Sequence, residues 1–274
     1  MQTKCQQKIS ALFILTVTLR VAMLAVFAAE MAAQSPSFEV ASVKPNHSGE
    51  NPYYVRILPG GSLGALNASL QAIITTAYQI PDFELAGGPA WLTTEKWDIE
   101  AKRPGAAPPQ HVLDMLRVLL ADRFQLKVHT ESRQMPIYAL VVAKNGPKLE
   151  PSHIECFDPT GGTLPTTPNA RPCGGFNRGL SQMLGARIAM PGLAKTLSKV
   201  VGRTVVDKTG LDGSYDITLN WKPDELLQAD RDSAASESAS LFTAIQEQLG
   251  LRLEAQRGPV DILVIDSVNR ASAN

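Results

Sequence analysis

Apolar side chains along Gly192 to Trp221 recur with two different periods. Leu193, Leu197, Val200 and Val201 stand at i, i+4, i+7 and i+8, which predicts one buried face of a helix ended by Gly202. A short β-branched run, Thr204 to Val206, follows. Asp207 to Gly210 and Asp212-Gly213 then supply turn residues. From Asp216 the pattern alternates, with Ile217, Leu219 and Trp221 on one face and Thr218 and Asn220 on the other, as in a half-buried strand.

The same alternation of periods predicts elements elsewhere. Phe38 to Val43 reads as a strand ended by Lys44-Pro45-Asn46, and Val55 to Leu58 with Leu63 to Leu66 as a hairpin across Pro59-Gly60-Gly61. Asn67 or Ser69 can cap a helix carrying Leu70, Ile73, Ile74 and Ala77. Trp97 to Glu100 then reads as a strand, with Trp97-Asp98-Ile99 standing where Tyr215-Asp216-Ile217 stands later. Beyond a Pro-rich hinge at Arg103 to Pro109 come a helix over Val112 to Leu120 and two strands, Gln125 to His129 and Ile137 to Val142. The end of the chain repeats that order, with a helix over Leu241 to Leu249, alternation from Leu251, and Pro259 before Val260 to Ile265.

These units predict an α+β fold of internally duplicated helix-plus-antiparallel-hairpin units, with helices packed on antiparallel sheet. The halves span residues 37–150 and 180–270. A loop at 151–179 separates them, and a polar, Ser/Ala-rich linker at about 222–239 interrupts the second.

Composition narrows the function. With 44% hydrophobic and 19% charged residues the chain can bury a core, and 26 basic residues balance 26 acidic ones. No long-range field favours nucleic acid. Residues 1–33 read as an export signal: Lys4 and Lys8 precede apolar runs split by Arg20, and Ala28 or Ala33 ends the removed segment. The split runs are too short for a spanning helix, so no stable membrane span is expected after cleavage. The expected location is periplasmic or secreted. Export in turn makes a disulfide between Cys156 and Cys173 the expected state, against a redox or metal pair.

Candidate chemistry is sparse. Gly60-Gly61-Ser62-Leu63-Gly64 matches a nucleophile-elbow string, but it leads into another strand and reads better as a hairpin turn. His47, His111, His129 and His153 make no ligand pair, and Asp230 with Asp232 lacks the glycine and ligand spacing of a calcium loop, so neither a metal nor a cofactor is expected. Asp98 and Asp216 each follow an aromatic residue at the same place in the two halves. They could form a catalytic carboxylate pair, or each could hold turn amides near a strand start.

The strings GGPAWL (Gly87 to Leu92), LLADRFQLKVHTESRQMPIYALVVAKNGPKL (Leu119 to Leu149), VVDKTGLDGSYDITLNW (Val205 to Trp221) and LFTAIQEQLGLRLEAQRGPVDILVIDSV (Leu241 to Val268) resemble a soil-associated secreted bacterial family of unknown function, with many paralogues per genome. Related domains are joined to membrane metallopeptidase sensors of the antibiotic-resistance type, which implies an extracytoplasmic sensing or binding role. The unit around Leu193 to Leu219 also looks like the short N-terminal domain of secretins and TonB-dependent receptors, a protein-interaction module.

The expected function is therefore a non-catalytic periplasmic or secreted module that binds an envelope protein or peptide through a sheet edge or the groove beside a helix. One alternative is a sensor domain for a small envelope-derived ligand, which predicts a concave apolar pocket between the halves. The other is a hydrolase acting on envelope or extracellular material through Ser62 or the Asp98 and Asp216 pair.

Overall fold

A computed structural model describes residues 37–49, 52–58, 60–103, 109–157, 171–179, 181–222 and 240–271. Residues 1–33, expected to be an export signal, most of the 222–239 linker with Asp230 and Asp232, and positions 158–170 of the cysteine loop lie outside the described residues.

The fold is α+β, with five helices among the described residues packed on several sheets. In chain order the strands and helices are β1 (Val40–Asn46), β2 (Tyr54–Ile57), β3 (Leu63–Ser69), α1 (Leu70–Tyr78), β4 (Leu85–Gly87), α2 (Trp91–Thr94), β5 (Lys96–Lys102), α3 (Pro109–Phe124) and β6 (Lys127–Val142). There follow β7 (Cys156–Phe157), β8 (Arg171–Pro172), β9 (Phe176–Arg178), β10 (Gln182–Ile188), α4 (Met190–Val201), β11 (Val205–Asp207), β12 (Tyr215–Asn220), α5 (Leu241–Leu249) and β13 (Leu251–Ser267).

One antiparallel sheet has the order β1-β5-β3-β2 and a second β12-β10-β9. Helix α1 lays Leu70, Ile73, Ile74 and Ala77 on the first sheet, and α3 adds Val112, Leu116, Leu120 and Phe124 to the same core. Phe124 meets Trp97 edge to face at 5.0 Å. Over the second sheet, α4 and α5 bury Leu193, Leu197, Ala244 and Ile245 against Met183, Ile217 and Leu219.

A third sheet, β11-β6-β13-β4, joins the two, and it departs from the expected hairpins. Strands β6 and β13 are single strands of 16 and 17 residues, not two short strands each, and they pair antiparallel along their length. Their middle residues, Thr130, Ser132, Gln134 and Pro136 with Ala255, Arg257 and Pro259, are exposed because no helix covers the ribbon there. Over His129 to Gln134 both faces of β6 are exposed, so no buried face is left to mark a strand by alternation there. Pro136 and Pro259 are tolerated within these strands because neither needs a donor toward an outer neighbour at that point. Likewise β1 runs through Pro45 to Asn46, since an edge strand can hold a proline.

Strands β4 and β11 add in parallel to the outer sides of β13 and β6. Each therefore pairs with a strand from the opposite half, so both halves contribute to one sheet. Although β4 and β11 lie at opposite ends of the strand order, Thr204 Oγ1 donates to Glu84 Oε1 at 2.8 Å. The residues preceding the two edge strands touch, so the ribbon is coiled until its edges meet. The concave face encloses Ile137, Val260 and Ile262, packed with Ala86 of β4 and Val206 of β11. The convex face carries Leu263 and Ile265 into the first core and Leu140 and Leu251 into the second.

Candidate functional site

Strand β2 is the last strand of its sheet, and no strand pairs with its outer side among the described residues. Leu58 donates its N–H to Ser62 at 2.7 Å, and the Ile57–Leu63 and Arg56–Gly64 pairs continue that register. Antiparallel pairs alternate, so the amide and carbonyl groups of Val55 and Ile57 point away from β3. This open edge forms one wall of a groove of about 910 Å³.

The floor is α1, through Ala72, Thr75 and Thr76. Ser69 caps this helix by accepting from the Ala72 amide at 3.2 Å, whereas Asn67 lies outside it, in the bulge of β3. Thr75 is buried, and its hydroxyl and that of Thr76 both donate to the Ala72 carbonyl. The far end of α1 is tied to α3: Arg117 Nε donates to the Ala77 carbonyl at 2.9 Å, and Gln79 Nε2 donates to Gln110 Oε1 at 2.8 Å. Arg117 also lies over the Tyr78 ring. Partial burial raises the Tyr78 phenol above its ordinary pKa, although the Arg117 charge acts the other way.

The opposite wall comes from α4, through Lys195, Lys199 and the capping Gly202. Ser198 positions this helix, donating to the Ala194 carbonyl and accepting from the Val205 amide, each at 2.8 Å in a buried setting. Among the described lining residues Arg56, Lys195 and Lys199 are basic and Asp82 is acidic, and the Arg56 guanidinium lies over the Tyr54 ring at 4.3 Å.

A smaller recess of about 350 Å³ shares Gln79, Pro81 and Lys195 with the groove and reaches the coiled sheet at Glu84, Thr204 and Asp207. Burial pushes the Glu84 carboxyl above its ordinary pKa, outweighing the Thr204 hydrogen bond and the Lys195 charge; Asp261 pushes in the same direction as burial.

The structure does not bring the sequence candidates into this groove. Ser62 lies in the β2–β3 hairpin, and no histidine hydrogen-bonds to it among the described residues. Asp98 accepts from the Asn67 amide at 2.8 Å and from Asn46 Nδ2 at 2.9 and 3.0 Å. Asp216 belongs to a different sheet and accepts from Ser152 Oγ at 2.5 Å and from the amides of His153, Ile154 and Arg187 at 2.8, 2.9 and 3.3 Å. Both carboxylates are thus spent on backbone and neighbouring side chains. His129 is exposed and meets Asp266 at 2.7 Å.

Among the described residues no three His, Cys, Asp or Glu side chains gather to hold a metal ion, and no helix is long and apolar enough to cross a membrane. Cys156 and Cys173 are joined in a disulfide with their Cα atoms 5.0 Å apart.

Residues 71–268 match a family described as "Protein of unknown function (DUF3738)". The chain belongs to this family. The DUF3738 match begins on α1 and ends just after β13, so it takes in α1, α4 and the coiled sheet, whereas β2 precedes it. No curated protein and no solved structure matches the chain.

Sequence reading missed Lys195 and Lys199 as site residues, although their i, i+4 spacing opposite Leu193 and Leu197 was a usable signal. The groove's other wall, β2, was visible only as half of a hairpin.

Proposed function

We propose that the protein is an exported, non-catalytic module that captures an extended protein or peptide segment of the cell envelope by adding it as a strand to β2. The observation that carries this reading is the open β2 edge forming a wall of the groove, with main-chain groups of Val55 and Ile57 directed outward. Strand addition satisfies such groups by main-chain hydrogen bonds, while alternate side chains of the guest fill the groove. A groove of about 910 Å³ is within the range of sites that enclose a ligand of several residues. Tyr53, with 67% of its surface exposed, extends the same wall with apolar area. The likeness to domains joined to membrane metallopeptidase sensors, and to interaction modules of secretins, supports a role outside the cytoplasm.

The test is selection of peptides from a random displayed library, followed by amide hydrogen exchange of the protein with a selected peptide. Slowed exchange at Val55 and Ile57 is the expected result, and protection confined to another strand would sink the proposal. A second reading, a sensor of a small envelope-derived ligand, draws support from the recess at Glu84, Thr204 and Lys195, which lies between α1 and α4. Under that reading a small molecule raises the melting temperature without slowing exchange along β2.

A further inference from the structure

We infer that a second copy of this chain pairs with β6, the two β6 strands running antiparallel about Ser132 so that one continuous sheet crosses the dimer. The inference goes beyond strand capture at β2 and uses a strand of another sheet.

Strand β6 has an open edge of its own. It pairs with β13 along its length, but on its other side β11 takes up only Tyr138, Ala139 and Leu140, the Tyr138 amide donating to the Thr204 carbonyl at 2.9 Å. Main-chain groups alternate in direction along an antiparallel strand. Those of Val128, Thr130, Ser132 and Gln134 therefore point the same way as those of Tyr138, away from β13. Among the described residues no strand or side chain takes the outward groups of Thr130 and Ser132, and the Gln134 carbonyl accepts only from Arg257 Nη2, at 3.2 Å. From His129 to Gln134 the side chains on both faces are exposed as well. A strand open at its edge and on both faces is a template for another chain.

Charge selects the partner. Arg133 Nη2 donates to Glu131 Oε2 at 2.7 Å, and the pairing of these residues with Val260 and Ile262 puts both on the concave face. The open stretch runs from Val128 to Pro136, just before β11 takes over, and Ser132 is its midpoint. Two copies related by a two-fold axis at that midpoint pair Ser132 with Ser132 and Thr130 with Gln134, exchanging both main-chain hydrogen bonds in each pair. In the same register Glu131 stands directly opposite Arg133 of the second copy, and Arg133 opposite its Glu131. The ion pair within each strand then closes into a ring of alternating charges. Moving the axis to residue 131 or 133 sets Glu131 or Arg133 against itself, and moving it to residue 130 sets Lys127 against Arg133; like charges directly opposite are destabilising. Charges on an edge strand ordinarily keep other chains away. Here they reject every neighbouring register and admit one.

The experiment is sedimentation velocity of the purified protein over micromolar to millimolar concentrations, with amide hydrogen exchange at the two ends of that range. A monomer–dimer equilibrium is expected, with exchange at Thr130, Ser132 and Gln134 slowed at the high end. Ser132→Pro removes an outward donor without touching the β13 ladder, as Pro136 already does in this strand, and leaves a monomer. Glu131→Arg and Arg133→Glu each weaken self-association at least about tenfold. Mixed together, these two variants form a heterodimer about as tight as the parent dimer, because every opposed pair is again of unlike sign. Circular dichroism melts establish that the variants remain folded.

A monomer throughout the range overturns the inference. So does a dimer that survives Ser132→Pro, or one that slows exchange at Val55 and Ile57 instead, which would put the contact at β2. Dimerisation lost in Ser132→Pro but unchanged in both charge variants overturns the register about Ser132, as does loss in the charge variants without recovery in their mixture.

Discussion

The β3–α1–β5 region and the β10–α4–β12 region share one local design and differ in what borders it. In each, a bulge interrupts the strand before the helix, between Ala65 and Ala68 or between Gly185 and Ile188. In each, a residue with left-handed backbone sits in the bulge, Asn67 at φ 48° or Arg187 at φ 53°. Its amide is taken by the aspartate of the paired strand, Asp98 or Asp216. The carboxylate offsets the cost of a left-handed non-glycine residue by satisfying an amide that the bulge removes from the ladder.

The borders diverge. Beside β3 lies the open edge of β2 and the groove. Beside β10 lies β9, preceded by the disulfide, and Cys173 itself bridges to Ala186. Asp216 also gathers Ser152, His153 and Ile154, binding the chain ahead of β7 to the sheet. The aspartate-held bulge is thus a framework device common to both regions; each is bordered by an edge strand, β2 or β9, and they differ in what lies beside that strand, a groove in the first and the disulfide segment in the second.

The largest test removes the disulfide. Cys156→Ser with Cys173→Ser should cost about 3 kcal/mol in the chain-entropy account of a loop this size, read as a lower midpoint in urea. Peptide affinity at β2 should remain unchanged; a loss there would break the separation of the two regions.

Next come the aspartates. Asp216→Ala strands more donors than Asp98→Ala, so about 2 kcal/mol against about 1 kcal/mol is expected, with solvent offsetting part of each loss. Equal losses would remove the distinction. Burial acts to raise the Asp216 carboxyl, but the hydrogen bonds from Ser152 and the amides of His153, Ile154 and Arg187 together outweigh it and hold the pKa below its ordinary value. The folded state therefore binds fewer protons there than the unfolded chain. The stabilisation is fully present above the ordinary carboxylate pKa of about 4 and is lost as pH falls through the lower folded-state value. Asp216→Asn should flatten that part of the stability–pH curve, measured by urea titrations at successive pH values.

Packing at the bulge gives a comparable effect. A Cβ on Gly185 would stand 2.6 Å from Ile188 Cγ1 and 2.8 Å from Phe176 Cε1, so Gly185→Ala should destabilise by about 2 kcal/mol through overpacking. The corresponding position in the first region is Ala65, where Ala65→Gly should cost only about 1 kcal/mol. Thermal melts of the pair check the asymmetry.

The smallest effect concerns the helix starts. Ser69 caps α1, while α4 begins after Ala189 with no side-chain cap. Ser69→Ala should lose about 1 kcal/mol and Ala189→Ser should gain about 0.5 kcal/mol, both read from urea midpoints.

Local physics made much of this protein legible in its sequence. The 3.6-residue period of Leu193, Leu197 and Val201, the hairpin turn around Gly60-Gly61 and the pairing of Cys156 with Cys173 follow from short-range sterics, capping and chemistry. So did the matched positions of Asp98 and Asp216, since each follows an aromatic residue at a strand start. The partners of the strands were decided by tertiary structure. Alternation states which face of a strand is buried but not which strand lies beside it, and so β6 with β13, β11 with β6 and β4 with β13 were not readable. The coiling that brings Glu84 to Thr204, and the approach of α4 to the edge of β2 that makes the groove, arise from burying both cores on one shared sheet.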